Sequence, residues 1–225
     1  MMLRCLSRHA AEKARVLPGD REKVIVTDAP DPAADALVAR SAAAMQSIAD
    51  WPEDQIDGLI TALAAQIATR AEELAAAAVA ETGIGCVPDK ADKNRFASLG
   101  VARSLIGKPG VGVVGRHEPQ ALTEIAEPMG VILGLIPVTN PVATLVFKAL
   151  ICIKARDALI VSCHRDAAAV GATTVGLLRQ VLARHAASPD LVQNAPRRPG
   201  RRAATRDRFI NSATPHPGRA APRMR

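Results

Sequence analysis

One asparagine stands where a side-chain amide would have a chemical use. Asn140 lies in the segment Pro137-Val-Thr-Asn-Pro141, which follows an apolar run and precedes a helical pattern. In open parallel α/β sheets, ligands bind outside the carboxyl ends of the strands, and this segment is expected there. An amide N–H group at that edge can stabilise a developing oxyanion. The alternative is that Asn140 only caps the following helix, a common role for asparagine that the local sequence alone favours.

The other candidates for chemistry are four cysteines, namely Cys5, Cys86, Cys152 and Cys163. None belongs to a C-x-x-C pair, and no group of histidines has zinc-ligand spacing, so we predict no metal site. Cys152 falls within an apolar helical pattern and is expected in the core. Cys163 precedes His164 and Arg165, but neighbours in sequence need not converge in space, so a nucleophilic role is disfavoured. Scattered thiols are typical of a reducing compartment, and we expect a cytoplasmic protein.

Three glycines reproduce the letters of a dinucleotide-binding fingerprint. Gly110, Gly112 and Gly115 have the spacing G-x-G-x-x-G. The fingerprint functions only where it follows a strand and opens a helix, because the phosphate must meet the helix N-terminus. Here Lys108-Pro109 precedes the glycines and Arg116-His-Glu-Pro119 follows them. We therefore interpret residues 107–120 as a flexible, polar loop with no part in nucleotide binding.

Buried strands and helices alternate around Asn140. Asp50 is predicted to cap the second of three N-terminal helices, which span about residues 31–50, 51–82 and 89–106. Apolar runs predict strands at about residues 122–126, 131–136, 158–161 and 191–192. Two further helical patterns lie between the last three strands, at about 141–154 and 166–187. The predicted fold class is therefore α/β, with N-terminal helices followed by a Rossmann-like parallel sheet.

Charge and composition divide the chain into three parts. Residues 194–225 contain nine Arg, one Asp and no Lys, which gives this tail a net charge of +8. Because the whole chain has a net charge of +7, residues 1–193 have a net charge of −1. We predict a poorly ordered leader at 1–30, a folded body at 31–193 and a disordered tail at 194–225. The tail is interpreted either as a basic arm for nucleic acid or, with more support, as the product of a shifted reading frame. The second interpretation is favoured because the tail replaces an expected strand.

The body of the chain lacks the features of nucleic-acid-binding and membrane proteins. It is nearly neutral, and aromatic residues make up only 2% of the sequence, so no stacking surface for single strands is expected. The apolar run at residues 131–147 contains two prolines and an asparagine, whereas a membrane span needs about 20 predominantly apolar residues. The N-terminus has no apolar core of signal-peptide length. We therefore predict no membrane association and no nucleic-acid partner for the body.

Three blocks of sequence repeat the order and spacing of a known family. The first is Glu81-Thr-Gly-Ile-Gly85 with Asp89-Lys90 and Lys93-Asn94; the second runs from residue 127 to 141, and the third from residue 147 to 162. They resemble the CoA-acylating branch of the aldehyde dehydrogenases, the group that includes acetaldehyde and sulfoacetaldehyde dehydrogenases. The resemblance covers residues 33–193. It implies that residues 31–193 are the N-terminal part of the family's cofactor-binding domain, with the parallel sheet truncated.

The resemblance also implies roles for individual residues. Asn140 corresponds to the asparagine of the family's oxyanion hole. Cofactor contacts are implied for Ile136, Pro137, Val138, Thr139, Lys148, Ser162 and His164. Ser162 replaces a lysine that hydrolytic members carry at this position, which supports the acylating branch. The chain reads Ser162-Cys-His-Arg165 where acylating relatives often read Ser-Pro-His-Pro.

The reaction implied by the resemblance is the oxidation of a small aldehyde by NAD or NADP, with CoA as the co-substrate that receives the acyl group. A homo-oligomer is implied for the intact family member. The family's nucleophilic cysteine lies beyond the last residue of this chain, so the chain alone is expected to be inactive. Two alternatives are a non-catalytic remnant that binds a cofactor or a partner and, with less support, a nucleic-acid binder acting through the tail.

Overall fold

The structure of the protein is a computed structural model, and it describes residues 31–195. Seven α-helices and five strands form this part of the chain. The helices are α1 Pro32–Met45, α2 Glu53–Thr69, α3 Ala71–Thr82, α4 Val87–Arg95, α5 Val101–Leu105, α6 Pro141–Lys154 and α7 Ala168–Arg184. The strands are β1 Gly112–His117, β2 Leu122–Ala126, β3 Val131–Ile136, β4 Ala158–Cys163 and β5 Val192–Asn194. The predicted leader and nearly all of the predicted tail lie outside the described residues.

The three-stranded sheet is parallel, with the order β3-β4-β5. Helix α6 connects β3 to β4, and helix α7 connects β4 to β5. Strand β4 is central, and its first four residues are buried, as expected for a parallel strand that is covered on both faces. The predicted α/β class is confirmed. Asn194, which we assigned to the tail, is the last residue of β5.

Aliphatic side chains fill the core on both sides of the sheet. Leu159 and Val161 belong to the main cluster, which also contains side chains of α2, α6 and α7. Ile160 alternates to the opposite face and packs against Leu37 of α1. A buried hydrogen bond joins α1 to β5, because Gln193 Nε2 donates to Ser41 Oγ at 2.8 Å. Both faces of the sheet are therefore covered by helices, which leaves the strand ends as places for a ligand.

The N-terminal helices differ from the prediction in two details. Helix α2 begins after Pro52, and no side chain caps it, so the prediction of a cap by Asp50 was wrong. The extended backbone of Pro52 delays the helix by two residues. The predicted helix at 51–82 is divided at Arg70, whose φ of −108° and ψ of 17° interrupt the helical backbone although the apolar periodicity continues. Gly83 ends α3 with a left-handed φ of 67°, a conformation that glycine adopts without strain.

Residues 112–126 form an antiparallel hairpin of β1 and β2, and the prediction of a flexible loop at 107–120 was wrong. The register shifts between Val113 and Gly115, so the apolar residues of β1 do not alternate as in a regular strand. A 3-10 turn at 118–120 follows β1. Since no helix follows the glycines, the rejection of the dinucleotide fingerprint stands. Most hairpin side chains are exposed, and Ile125 retains 63% of its accessible surface.

Candidate functional site

The turn that carries Asn140 lies at the carboxyl end of β3, as the sequence predicted. Strand β3 ends at Ile136, and α6 begins at Pro141. Asn140 occupies the position before the first helical residue, with a φ of −140° and a ψ of 65°. Its carbonyl accepts a hydrogen bond from the N–H group of Thr144 at 3.1 Å, but its side chain caps no helical N–H group. The capping alternative is therefore wrong, because the side-chain amide makes no capping hydrogen bond to the helix.

The end of β4 lies beside this turn. Leu135 is opposite Ser162 in the parallel register, and the His164 N–H group donates to the Ile136 carbonyl at 2.9 Å. Ser162 is half-buried, and the His164 side chain is exposed. The Nδ1 atom of His164 accepts a hydrogen bond from the Asp166 N–H group at 3.3 Å, which supports the short 3-10 turn that follows. The two predicted segments, 136–140 and 162–164, thus share one edge of the sheet.

Two lysines bind backbone carbonyls in the stretch that leads to Asn140. Lys148 on α6 donates from Nζ to the Leu135 carbonyl at 2.9 Å. Lys90 on α4 donates from Nζ to the Thr139 carbonyl at 2.6 Å. Lys148 was a predicted site residue, whereas Lys90 received no role from the sequence. Because their partners lie 13 and 49 residues away along the chain, Lys148 ties the end of β3 to α6 and Lys90 ties the turn to α4.

A carboxylate lies at the N-terminus of α7. Glu81, in the last turn of α3, accepts hydrogen bonds from the N–H groups of Ala169 and Val170 at 2.8 Å and 2.7 Å. These groups have no partner within the first turn of a helix, and a negative charge there also interacts favourably with the helix dipole. Glu81 therefore anchors α7, and with it the segment after β4, to the N-terminal helices. Glu81 belongs to the first of the three sequence blocks, but neither its spacing nor the local hydropathy indicates this role.

The three described cysteines are free thiols in different surroundings. Burial, together with the charge of nearby Asp157, raises the pKa of the Cys152 thiol to about 12. The sulfur of Cys163 lies against Gly171 of α7, where a Cβ atom would be only 2.3 Å from Sγ. Cys86 is exposed just before α4. The burial of Cys152 confirms the prediction that it belongs to the core, whereas the prediction that Cys163 is not a catalytic thiol stays a prediction.

The predicted residues differ in how far a ligand could reach them. Pro137 and Thr139 are exposed, and Val138 and Asn140 are half-buried. The Ile136 side chain is only 3% exposed and belongs to the core, so this residue offers no side-chain surface. Within residues 31–195, no group of three metal-ligating side chains could hold a metal ion, and no helix is long and apolar enough to cross a membrane.

A second charged cluster lies at the opposite end of α6, about 20 Å from Asn140 by helix length. Lys154 forms ion pairs with Asp57 and, at 3.3 Å, with Glu53. Arg156 donates to the Trp51 carbonyl at 2.9 Å and also pairs with Glu53. Lys154 and Arg156 are both buried, at 4% exposed surface. The cluster links α2 to the end of α6 and has no side chain in common with the Asn140 turn.

The two carboxylates of this cluster are held in their ionised form. Burial raises the pKa of Glu53, but the Gly110 N–H group and the charges of Arg156 and Lys154 have a larger, opposite effect. The net pKa of Glu53 is therefore below its usual value. Burial likewise raises the pKa of Asp57, but Lys154 and the Gly107 N–H group bring the net value below normal. The Gly107 and Gly110 hydrogen bonds measure 2.8 Å and 3.1 Å. The cluster therefore also fastens the segment that leads into the hairpin.

Known proteins share the segments that build this edge. The sequence profile of the aldehyde dehydrogenase family matches residues 8–204. The chain belongs to the aldehyde dehydrogenase family. This aldehyde dehydrogenase chain is 34% identical over 163 residues to sulfoacetaldehyde dehydrogenase (acylating) from Cupriavidus necator. It is 40% identical over 129 residues to the bifunctional aldehyde-alcohol dehydrogenase AdhE of Escherichia coli K12.

A solved structure confirms the fold of this aldehyde dehydrogenase chain. The acetylating aldehyde dehydrogenase from Geobacillus thermoglucosidasius superposes with a TM-score of 0.68 at 35% identity, over 72% of this chain and 36% of the other. The matches cover 72% of this chain and 33% of the Cupriavidus necator enzyme, and 57% of this chain and 14% of AdhE. The chain therefore spans about a third or less of the length of these relatives.

Proposed function

We propose that this chain contributes the oxyanion donor and part of the cofactor groove to a CoA-acylating oxidation of an aldehyde. The observation that carries this proposal is the Asn140 side-chain amide, which caps no helix and lies at the ligand-binding edge of a parallel sheet. Two relatives whose names specify acylating or acetylating enzymes share this region at 34% and 35% identity. The substrate class proposed from these names is a small aldehyde.

Asn140 acts where negative charge develops on the carbonyl oxygen. A thiolate that adds to the aldehyde converts the carbonyl into a tetrahedral oxyanion. Bound NAD(P)+ would supply the acceptor for the hydride that the adduct loses in becoming a thioester. The acyl group would then pass to the CoA thiol through a second oxyanion, with the thiolate as the leaving group. A side-chain N–H group aimed at that oxygen stabilises both species more than the ground state, which lowers both barriers. The thiolate is proposed to come from a residue outside 31–195, because Cys152 is buried with a raised pKa and the sulfur of Cys163 lies against Gly171.

The cofactor is proposed to lie along the edge formed by residues 137–139 and 162–164. Thr139 and Pro137 offer exposed surface on one side, and the half-buried Ser162 and the exposed His164 offer polar atoms on the other. Lys148 supports this groove from behind, because its Nζ atom is bound to the Leu135 carbonyl. A serine at position 162 has a short side chain that leaves room at the strand end.

The catalytic role of Asn140 is testable in a chimera. Residues 31–193 would replace the matching segment of the Cupriavidus necator enzyme, and formation of NAD(P)H would be followed at 340 nm with sulfoacetaldehyde and CoA. Asn140→Ala is expected to lower kcat by about 10²–10³-fold, the effect of removing one oxyanion donor. Thr173→Ala, on the exposed surface of α7, is the matched control and should leave kcat unchanged. Equal rates for the two variants would refute the assignment.

The 225-residue chain itself is expected to bind NAD+ or NADP+ without turnover. This expectation corresponds to the alternative of a cofactor-binding protein that has no catalytic activity. Isothermal titration with each nucleotide would measure binding, and the 340 nm assay would measure turnover in the same preparation. Binding without turnover supports a cofactor-binding role for this region. NAD(P)H formation by the chain alone would show that the nucleophile lies within it. If neither nucleotide binds, the proposed cofactor groove is refuted.

A further inference from the structure

A buried lysine without a carboxylate partner supports the Asn140 turn from below. Lys90 retains only 5% of its accessible surface. Its Nζ atom donates to the Thr139 carbonyl at 2.6 Å, and no carboxylate within residues 31–195 lies within ion-pair distance of it. The other two deeply buried cations of the described chain, Lys154 and Arg156, are both paired with acidic side chains. Lys90 is therefore buried against a backbone carbonyl at the site itself.

Such a position costs stability. Moving an ammonium group out of water without a counter-ion is unfavourable, and one carbonyl dipole offsets only part of that cost. Burial lowers the pKa of Lys90, and the positive charge of nearby Lys93 lowers it further. An uncharged side chain of similar length would avoid this penalty. The lysine is thus explained better by what it does to the turn than by what it adds to folding.

The fold makes room for the lysine at a specific place. Gly85 has a left-handed φ of 77°, and a Cβ atom added there would lie 3.2 Å from Cε of Lys90. A side chain at position 85 would thus press on the stem that delivers the ammonium group to the turn. Gly85 and Lys90 both belong to the first of the three sequence blocks, whereas Thr139 belongs to the second. The contact joins two blocks that are far apart in the sequence.

We propose that Lys90 is the positioning residue of the oxyanion turn, and that its hydrogen bond to the Thr139 carbonyl fixes the orientation of Asn140. The peptide between Thr139 and Asn140 is planar, so its carbonyl and its N–H group point in opposite directions. Holding the carbonyl oxygen on one side therefore fixes the N–H group and the Cα atom of Asn140 on the other. The role as an oxyanion turn rests on the proposed function, but the hydrogen bond does not.

The charge of Lys90 adds a second effect. A hydrogen bond from an ammonium group is stronger than one from a neutral donor, and it polarises the peptide that accepts it. The Asn140 N–H group on the far side of that peptide then carries more positive charge. None of the hydrogen bonds among the described residues uses this N–H group as a donor. Lys90 thus orients the turn and makes it more favourable for a negative oxygen.

Nuclear magnetic resonance on the complete 225-residue chain, labelled with 15N and 13C, tests the positioning directly. The unmodified protein is expected to show a through-hydrogen-bond scalar coupling between 15Nζ of Lys90 and the carbonyl 13C of Thr139. Lys90→Met keeps the unbranched side chain up to the position of Cε but removes the donor. It is expected to abolish the coupling and to displace the backbone and side-chain amide signals of Asn140. Lys93→Met, on the exposed face of the same helix, should preserve the coupling.

The outcomes separate positioning from general structural support. Unfolding midpoints of the two variants, measured in urea, would show whether Lys90→Met merely loosens the fold. Displaced Asn140 signals in a variant that is otherwise folded support the proposal. No coupling in the unmodified chain, or Asn140 signals that are unchanged in Lys90→Met, would overturn it. If Lys90→Met does not fold, the presence or absence of the coupling in the unmodified chain still supports or overturns the proposal. Equal rates of the Asn140→Ala and Thr173→Ala chimeras, together with an intact coupling, would refute the proposed function and leave the positioning role standing.

Discussion

At the scale of single residues, the carboxylate at the start of α7 is expected to contribute measurably to stability. Glu81→Ala removes two hydrogen bonds to backbone N–H groups and a charge that favours the helix dipole. We expect a loss of about 0.5–2 kcal/mol in the free energy of unfolding, as for other helix caps. Urea denaturation followed by circular dichroism measures it. Glu118→Ala, at an exposed position beside the hairpin, is the control and should change little. A loss of equal size in both variants would contradict the capping role.

Individual site residues were predictable to different degrees. The position of Asn140 followed from an apolar run, a proline and a helical pattern, all of which are local features. The roles of Lys90 and Glu81 depend on contacts with residues 49 and 88 or more positions away. Neither hydropathy nor spacing carries such information, because a lysine on a short polar helix is usually solvated. The resemblance marked both residues as members of a block but gave no physical reason for them.

At the scale of elements, two glycines are expected to respond in opposite ways to the same substitution. A Cβ atom at Gly110 would lie 1.9 Å from the Lys154 carbonyl oxygen, so the segment before β1 must move away from α6. We expect Gly110→Ala to cost about 1–3 kcal/mol, as for other overpacked sites. Gly58 lies on the exposed face of α2 with no atom within 4 Å of an added Cβ atom. Gly58→Ala should stabilise the protein by about 0.5–1 kcal/mol.

Urea midpoints of the two alanine variants, measured beside the unmodified chain, check this contrast. If Gly110→Ala were neutral, the close approach between the segment before the hairpin and the end of α6 would be wrong. If Gly58→Ala were destabilising, α2 would not be a regular helix at that point. Because both substitutions add the same methyl group, a change in solubility or expression would affect them alike.

Elements with a strong apolar pattern were predicted well, and those without one were not. Strand β3, helix α6 and strand β4 combine long aliphatic runs with a proline at the helix start, and the structure reproduces them within two residues. The hairpin was missed because its glycines, its shifted register and its exposed faces remove the alternation that identifies a strand. The division between α2 and α3 was missed because the apolar face continues past Arg70. The hairpin and the division between α2 and α3 depend on strand pairing and on backbone angles, which a hydropathy pattern does not reveal.

At the scale of the whole molecule, the cluster of Glu53, Asp57, Lys154 and Arg156 is expected to make stability dependent on acid. Both carboxylates have folded-state pKa values below their usual 4.5 and 3.8. Their contribution is therefore complete above about pH 5 and is lost as the pH falls through the lower folded values. Asp157 acts in the opposite direction, because burial raises its pKa despite hydrogen bonds from the Gly130 and Met129 N–H groups.

Urea unfolding at a series of values between pH 6 and pH 3 measures this dependence. Asp57→Asn removes one of the two stabilised carboxylates, so the free energy of unfolding should fall less steeply on acidification than in the unmodified chain. Asp54→Asn, at an exposed position on the same helix, should keep the original slope. The effect of Asp157 is common to all three proteins and cancels from the comparison. Three parallel curves would contradict a stabilising role for the Asp57 ion pair.

The contact between Cys163 and Gly171 joins the end of β4 to the first turns of α7. Since Sγ of Cys163 occupies the space in which any side chain at position 171 would begin, the two positions share one fixed volume. Single substitutions that enlarge either residue meet the other, whereas a small residue at 163 would release position 171. During evolution, the residue at position 163 must therefore become smaller before a larger residue can replace Gly171. Homologues that carry a bulky residue at the second position should be those that have already lost the sulfur at the first.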